Sequence, residues 1–588
     1  MSYLKIESKI IEIIHYYIMN NHIWNIQNIV LLNKKEPKLK ILIDKFTRKL
    51  PKKMEYYNRI FKEMKLIVKN NFVDCFLQVM EILNITKNIP HIIRGSSGSS
   101  LTCYLLGITN IDPIKYNISL ARFMHKLRKD LPDIDIDFPY NKRDYIFNQI
   151  YKIWNNKVAR ISNHNMYHTK SALRQAIRDE GHRKFVPKWC SLNKIFDNKK
   201  QIDNVKQRKE DLIGTFRCYS LHCGGIVIFD DEISDDLLVK DKQLKFNKDD
   251  VEEQGLIKID ILSNRGLAQL WDISNKPIID YPHYDSKTVD LLIVGNNIGL
   301  TFAESPGMRK IFKDIQPRNI DDIAKCLALI RPAASESKQV DKDNVLIYDD
   351  DAIQYIQKLI NCSEGDADIY RKAFSKNRFQ KKQEFISKIK HLPNQKLIIQ
   401  NLESLHYYSF CKSHSYSYAQ LVWCLAYNKA NNPQQFWCST INHCHSMYKK
   451  WVHYCEAKKS GLKLVLGKPP WKIIDNKLIN KCYQTKLISN KIQEYKEYGY
   501  WTHPDFIENM YYKQKKGKHY FRGLIATYRK YKRKKCNLTF VTLGYDNGKY
   551  IDISINNNVN LFNKDVVEGY GKFSNHMIQV EEYNCLNL

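Results

Sequence analysis

Between residues 131 and 138 the chain reads LPDIDIDF. Apolar and acidic residues alternate there, and in a β-strand alternate side chains point to opposite faces. Ile134, Ile136 and Phe138 therefore line one face, and Asp133, Asp135 and Asp137 line the other. Same-face neighbours on a strand sit about 7 Å apart, close enough for unneutralised carboxylates to repel and raise one another's pKa. A second stretch, GLIKIDIL at 255–262, repeats the plan, with Ile257, Ile259 and Ile261 on the apolar side and Lys258 and Asp260 on the polar side. If the two strands are neighbours, Asp135, Asp137 and Asp260 converge. Such a cluster suits two Mg2+ ions about 3.5–4 Å apart, the arrangement used for in-line phosphoryl chemistry. A solvated strand would account better for a single D-x-D; three alternating carboxylates and the matching second strand favour the metal reading.

Upstream lies HIIRGSSGSSLTCYLLGI (91–108), which reads as a short apolar strand, a Gly/Ser turn and an apolar helix. Glycine lets a backbone approach a ligand closely, and a helix N-terminus offers N–H groups to an anion. Serine hydroxyls and Arg94 add donors and charge. A plain helix-capping loop is the competing reading of this turn by itself.

Composition narrows the partner. Lys and Arg total 94 against 62 Asp and Glu, a formal net charge of +32 in 588 residues. That excess points to a polyanion (DNA, RNA or an anionic membrane), although a Lys-rich codon bias would also raise it. No run of about 18 apolar residues marks a membrane span. The N-terminus MSYLKIESKIIEIIHYYIMNNH lacks the form of a secretory signal. The 15 scattered cysteines contain no C-x-x-C pair, as expected of reduced thiols in an intracellular protein, at a nucleoid or a viral replication site. Residues 1–50 form a Lys-rich amphipathic lead-in with a stripe at Ile10, Ile11, Ile13 and Ile14; 55–90 and 273–460 read as helical, and 156–215 as helical and basic. Residues 519–556 switch to period-2 patterns around the hairpin turn Asp546-Asn547-Gly548.

The order of Gly-Ser turn, D-x-D strand and third Asp resembles the palm of polymerase-β-type nucleotidyltransferases. The fuller set of motifs resembles the family-C DNA polymerases, the α subunits of bacterial polymerase III and their relatives. The segments that carry the resemblance are RGSSGSSLTCYLLGITNIDPIKYN (94–117), LARFMHKLRKDLPDIDIDFPYNKRD (120–144), RCYSLHCGGIVI (217–228) and VEEQGLIKIDIL (251–262). They continue in ESPGMRKIF (304–312), ALIRP (328–332), ADIYRKAFSK (367–376) and YSFCKSHSYSYA (408–419). The resemblance implies an α+β multidomain fold, with a polymerase-β-like palm, helical thumb and fingers, and a C-terminal β domain that looks OB-like. It implies that Asp135, Asp137 and Asp260 bind two Mg2+ ions. It further implies that Gly95, Ser96, Lys258, Arg371 and Lys372 contact an incoming triphosphate. Asp133 is supporting or structural. Arg122, Arg128 and Arg143 contact phosphate or pair structurally, and His222 and Lys412 are positional.

The expected domains are an N-terminal helical extension (1–54), palm in two parts (55–155 and 216–272), thumb (156–215), fingers (273–460), a linker or remnant of a clamp-binding region (461–517) and the OB-like domain (518–588). Departures accompany the match. The phosphoesterase-type (PHP) domain that usually opens the family is expected to be absent, since about 50 residues precede the first palm segment. The fingers lose a long stretch after Arg331-Pro332, and Asp350 stands where the family has Glu. Ser409 and Cys411 replace Gly and Asn, and Lys372 replaces the second of two arginines, which weakens bidentate phosphate contact. In 519–555, Tyr528 and Tyr531 could stack bases while Arg529 to Lys535 meet phosphates, or the run could be a solvated loop. Cys438, His443, Cys444, His445, His453 and Cys455 match no standard zinc spacing.

The reading is a template-directed DNA polymerase that uses primer-template DNA and dNTPs. No membrane partner is expected, and no clear motif supports a sliding clamp. The alternatives are a catalytically weak DNA-binding protein on a polymerase scaffold and a two-metal nuclease.

Overall fold

Among the described residues of the first half of the chain, seven strands occur: β1 (Ile92–Arg94), β2 (Ile134–Pro139), β3 (Val158–Met166), β4 (Phe216–Ile228), β5 (Leu238–Lys240), β6 (Gln243–Leu244) and β7 (Lys258–Asn264). The structure, a computed structural model, describes residues 37–588 apart from 48, 128–133, 188–190, 342, 408–409, 444, 480–489, 534–535, 558 and 575. The Ile10–Ile14 stripe, Arg128, Asp133, Ser409, Cys444, Lys534 and Lys535 thus lie outside the described residues. The chain divides into two compact units: Met1–Arg128 with Ile136–Arg143 and Ser263–Leu588, and Lys129–Asp135 with Asp144–Leu262.

The smaller unit is built on an antiparallel pair. β3 aligns with β4 over most of its length, and β7 pairs β4 with Gly225 opposite Asp260. Val158, Ala159 and Ile161 are fully buried on β3. This corrects the expectation that 156–215 is helical throughout, because its first part is a strand whose apolar residues face a sheet partner. The basic helices follow at Thr169–Asp179 and Lys199–Leu212, and pack on one another through Ala176, Ile177 and Val205.

In the larger unit the central element is the helix Lys412–Asn431, buried on all sides from Ser415 to Ala426. A helix buried all round belongs in an interior, where Ser415 donates to Ala324 O (2.7 Å) and Trp423 to Pro282 O (2.7 Å). The described residues of 461–517, expected to be a linker or a remnant of a clamp-binding region, contribute to this core. They include a hairpin of β8 (Lys472–Ile474) and β9 (Lys477–Ile479), a helix Lys491–Tyr498, and β10 (Tyr511–Lys515). Trp471, Tyr500 and Trp501 are buried against the preceding helix Lys450–Lys459, with Tyr500 stacked on Tyr454 at 3.7 Å. The abundant lysines of the segment hid the large aromatic area that drives this burial.

The C-terminal strands are β11 (Lys518–Arg533), β12 (Cys536–Tyr545), β13 (Lys549–Asn556), β14 (Val566–Ser574) and β15 (Met577–Leu586). β11 pairs β12, β12 pairs β13, β13 runs parallel to β15, β15 pairs β14, and β14 returns to β11. The circuit closes a five-stranded barrel around Phe521, Ile525, Val541, Leu543, Ile553 and Val567. The β12–β13 turn falls at Asp546-Asn547-Gly548, all with positive φ, as the hairpin signal predicts. The basic run beginning at Arg529 continues strand β11 rather than forming a loop.

Barrel and helical core interlock at Gly544 of β12, where an added Cβ would stand 2.3 Å from Trp451 Cη2. Gly544→Ala is expected to destabilise the protein by about 1–3 kcal/mol through overpacking, read as a lower urea midpoint without a change in slope.

Candidate functional site

On β2, Ile134, Ile136 and Phe138 are fully buried, as the alternation requires, but so is Asp137. Its carboxylate is received by polar partners. Arg94 Nη2, at the end of β1, lies 2.8 Å from Oδ1 and 3.1 Å from Oδ2. Asn264 Nδ2 donates to Oδ2 at 2.9 Å and Tyr418 Oη at 3.1 Å. Burial pushes the Asp137 pKa up, opposed by Arg94 and by the Asn264 and Tyr418 hydrogen bonds. Asn264 does two jobs: its Oδ1 also caps the helix Arg265–Ile273 through Leu267 N (3.0 Å).

Asp135 is half-buried and belongs with Lys258 and Asp260 to the smaller unit, whereas Asp137 belongs to the larger one. On β7, Ile259 and Ile261 are fully buried and Lys258 Nζ donates to Asp260 Oδ2. The other oxygen, Asp260 Oδ1, is buried without a hydrogen bond, with His222 Nδ1 3.8 Å away. Among the described residues, no group of three His, Cys, Asp or Glu side chains stands ready to hold a metal ion. The donor chemistry still fits Mg2+. Hard carboxylate oxygens suit it, and the unbonded Asp260 Oδ1 is a buried acceptor of that kind.

The Gly/Ser segment differs from its expectation. Leu101–Leu105 is one short helical turn, and its leading donors are already used: Glu63 accepts from Leu101 N (2.7 Å), Thr102 N (2.9 Å), Ser100 Oγ (2.7 Å) and Thr102 Oγ1 (2.9 Å). Glu63 is fully buried and paired with Arg59 at 2.8 Å. An internal carboxylate thus takes the place assigned to an external anion at this helix start. Gly95, with φ of 78°, is held from above by the central helix: its N–H donates to His414 Nδ1 (2.9 Å), and Ser413 Oγ donates to its carbonyl (2.9 Å). Gly95 and Ser96 stay half-exposed. Burial, reinforced by Arg94 and Arg331, pushes the His414 pKa down to about 3, so His414 is neutral.

Arg371 does not project as a phosphate ligand. It is 4% exposed, with Nε 2.9 Å from Asp368 and Nη1 3.4 Å from Asp349. Arg122 shares Asp349 at 2.7 Å, so pairing is the role the structure gives it. Lys372 lies at the edge of the cluster, 3.5 Å from Asp368. Burial pushes the Asp350 pKa up to about 6, and its Oδ2 accepts from Lys412 N at 3.0 Å, capping the central helix. Lys412 Nζ reaches Asn117 O at 3.1 Å, a positional contact.

Sequence reasoning missed Glu63, Asn264, Asp349, Asp368, Ser413, His414 and Tyr418. Glu63 had a signal, since it falls within the apolar stripe of the helix Met54–Lys69, between Ile60 and Ile67. Asp368 and Asn264 had local signals too, the one three residues before Arg371 and the other at the N-terminus of the helix Arg265–Ile273, whereas Asp349 pairs with Arg122 and Arg371, and Tyr418 with Asp137, only across long stretches of chain. Among the described members of the Cys/His set, His443 pairs with Asp272 (2.5 Å), His453 with Glu304 (3.4 Å), and Cys438 Sγ approaches Trp471 O (3.5 Å).

Residues 37–263 match the family model described as the bacterial DNA polymerase III alpha NTPase domain, and residues 268–342 match its finger domain. The chain is 29% identical over 479 residues to DNA polymerase III subunit alpha of Aquifex aeolicus, covering 65% of this chain and 41% of that protein. It is 28% identical over 478 residues to DNA polymerase III subunit alpha of Staphylococcus aureus, covering 70% of this chain and 45% of that protein. The match thus spans less than half the length of these relatives.

Two outcomes test this geometry. Glu63→Gln should lower stability by about 1.5–3 kcal/mol, the scale of hydrogen bonds to a charged group, in urea unfolding. For His414, the unfolded state binds a proton below its ordinary pKa of 6.5 while the folded state resists it down to about 3. Its contribution is therefore complete above 6.5 and falls with pH through that window, by roughly 1.4 kcal/mol per unit. His414→Asn, which keeps an acceptor for Gly95, should flatten this part of the stability profile.

Proposed function

The chain is a polymerase III α-like member of the family-C DNA polymerases, and from that premise we propose that it extends a DNA primer on a template by adding dNTPs. The observation that carries the reading is that the matched stretch 37–263 contains all three carboxylates, with Asp137 buried against Arg94 and Asp260 Oδ1 buried without a hydrogen bond. A catalytically weak DNA-binding protein would have no need to keep such costly groups.

In this reading Asp135, Asp137 and Asp260 hold two divalent ions, Mg2+ being the hard cation their oxygens suit. When bound, the ions supply a lowered pKa for the primer 3′-hydroxyl and neutralise charge on the departing pyrophosphate. The chain's own residues do the rest. Arg94 opposes the rise that burial imposes on the Asp137 pKa. Gly95 and Ser96, half-exposed, present backbone to the triphosphate, and Ser413 and His414 hold that turn in place. Lys258 exchanges its Asp260 contact for a phosphate oxygen. Lys372 serves the triphosphate, whereas Arg371 secures the cluster of Asp349 and Asp368. The strands and helices of 55–155 and 216–272 act as palm, the helices of Thr169–Asp179 and Lys199–Leu212 as thumb, and 273–460 as fingers. The closed five-stranded barrel, with its parallel β13–β15 pair, is OB-like. Its exposed Arg529, Lys530 and Tyr531 suit single-stranded template through charge and stacking. Among the described residues no helix is long and apolar enough to cross a membrane.

The full chain with Mg2+, dNTPs and primer-template should extend the primer. Asp135→Ala and Asp260→Ala should each lower extension by at least about 1,000-fold, a scale at which loss of metal-supplied stabilisation of several kcal/mol reads out, with duplex binding retained. Wild type that binds DNA without extending it would favour the binding-protein reading, and nucleotide release without dNTPs the nuclease. Arg371→Ala should destabilise the fold by about 3–5 kcal/mol, by leaving buried carboxylates unpaired. Lys372→Ala should instead raise KM for dNTP in steady-state extension and leave the unfolding midpoint nearly unchanged.

A further inference from the structure

For the stretch His222-Cys223-Gly224-Gly225 of β4 the family resemblance implies only that His222 is positional, without saying what it positions, yet the stretch is a built feature. β3 and β4 are in register at Arg160 opposite Ile226 and again at Ser162 opposite Leu221, so the four residues 222–225 stand across from Ile161 alone. The surplus chain folds back on itself. His222 Nδ1 accepts from Gly225 N (2.8 Å) and from Gly224 N (3.3 Å). Arg160 donates to the His222 carbonyl, and its guanidinium lies 4.7 Å over the Phe147 ring.

Both glycines are demanded by close approach. A Cβ at 224 would lie 2.6 Å from Ile261 O, and one at 225 would lie 2.8 Å from His222 Nδ1. Ile261 follows Asp260 directly, and Gly225 is the cross-strand partner of Asp260. The bulge therefore presses on β7 at the carboxylate. It sets the imidazole 3.8 Å from Asp260 Oδ1 with the nearer nitrogen already committed as an acceptor. A nitrogen that accepts two N–H groups has no proton to give, and Asp260 Oδ1 keeps no hydrogen bond.

We propose that the His222–Gly225 bulge is the positioning element of Asp260: it fixes where β7 presents the carboxylate and withholds a donor from Oδ1, leaving that oxygen for a hard divalent cation. His222 acts through Asp260 and is a positioning residue. The proposal rests on the reading that Asp260 is a cation ligand.

The test is Mn2+ binding by the full chain, followed as loss of the free-ion electron paramagnetic resonance signal, without substrate. The variants are Asp260→Ala, His222→Ala, His222→Asn and Gly224→Ala. An Asn Oδ1 can replace Nδ1 as the acceptor for the two glycine N–H groups. His222→Ala and Gly224→Ala should weaken Mn2+ binding about 10- to 100-fold, the range for loss of an outer partner of a metal ligand, and His222→Asn should restore it to within about threefold. Primer-template affinity of His222→Ala and His222→Asn should match wild type, which separates positioning from loss of fold. Wild-type Mn2+ affinity in His222→Ala, or equal weakness in His222→Ala and His222→Asn, overturns the proposal. If Asp260→Ala weakens Mn2+ binding while His222→Ala does not, only the proposal falls. If Asp260→Ala also leaves Mn2+ affinity unchanged, the metal reading of Asp260 falls with it.

Discussion

Asp137 is a carboxylate with no solvent exposure, and its neighbourhood is organised around keeping it charged. Removing an ionised carboxylate from water costs several kcal/mol unless a partner and hydrogen bonds replace the lost hydration. Its partners come from three places far apart in sequence: Arg94 at the end of β1, Asn264 capping the helix after β7, and Tyr418 in the central helix. Two of these partners are themselves committed elsewhere. Asn264 starts a helix, and the Tyr418 ring stacks on Phe302 at 4.3 Å and meets His414 at 4.5 Å. The end of β1, and with it the Gly95 turn, therefore cannot shift without exposing an unpaired buried charge.

The same solution recurs twice in the larger unit. Glu63 is buried with Arg59 and the start of the helix at Leu101. Asp349 and Asp368 are buried with Arg122 and Arg371. The charge on Asp368 is favoured so strongly by His125, Arg371 and Arg122 that its pKa falls well below the usual carboxylate range in spite of burial. These clusters explain why a chain with so many cations does not present all of them to a polyanion. Some of the most conspicuous arginines of the sequence are internal counter-charges. A lysine at a cluster's rim, such as Lys372, remains the better candidate for a substrate contact than a guanidinium locked between two carboxylates.

Much of this was legible from residue order. The alternation around Asp135 and Asp137, the matching pattern around Asp260, and the Asp546-Asn547-Gly548 turn each report a local periodicity, and each became a strand or a hairpin where expected. The aromatic-rich stretch 461–517 was misread because lysines dominate its composition while Trp471, Tyr500 and Trp501 dominate its energetics. The strand at Val158–Met166 was misread because its buried residues are satisfied by β4, about 60 positions away, rather than by a local period.

By itself the sequence determined the elements that carry a local period, among them the two strands that hold the three carboxylates, and the short motifs of the family resemblance, since these depend on periods of two to four residues and on short stretches of chain. The tertiary structure alone decided which cations are internal partners, which donors of the Gly/Ser turn are already taken by Glu63, and which oxygen of Asp260 is left without a hydrogen bond. Those facts depend on pairings across tens to hundreds of residues. Desolvation is what gives such pairings their weight, and desolvation is a property of the folded interior rather than of any stretch of chain.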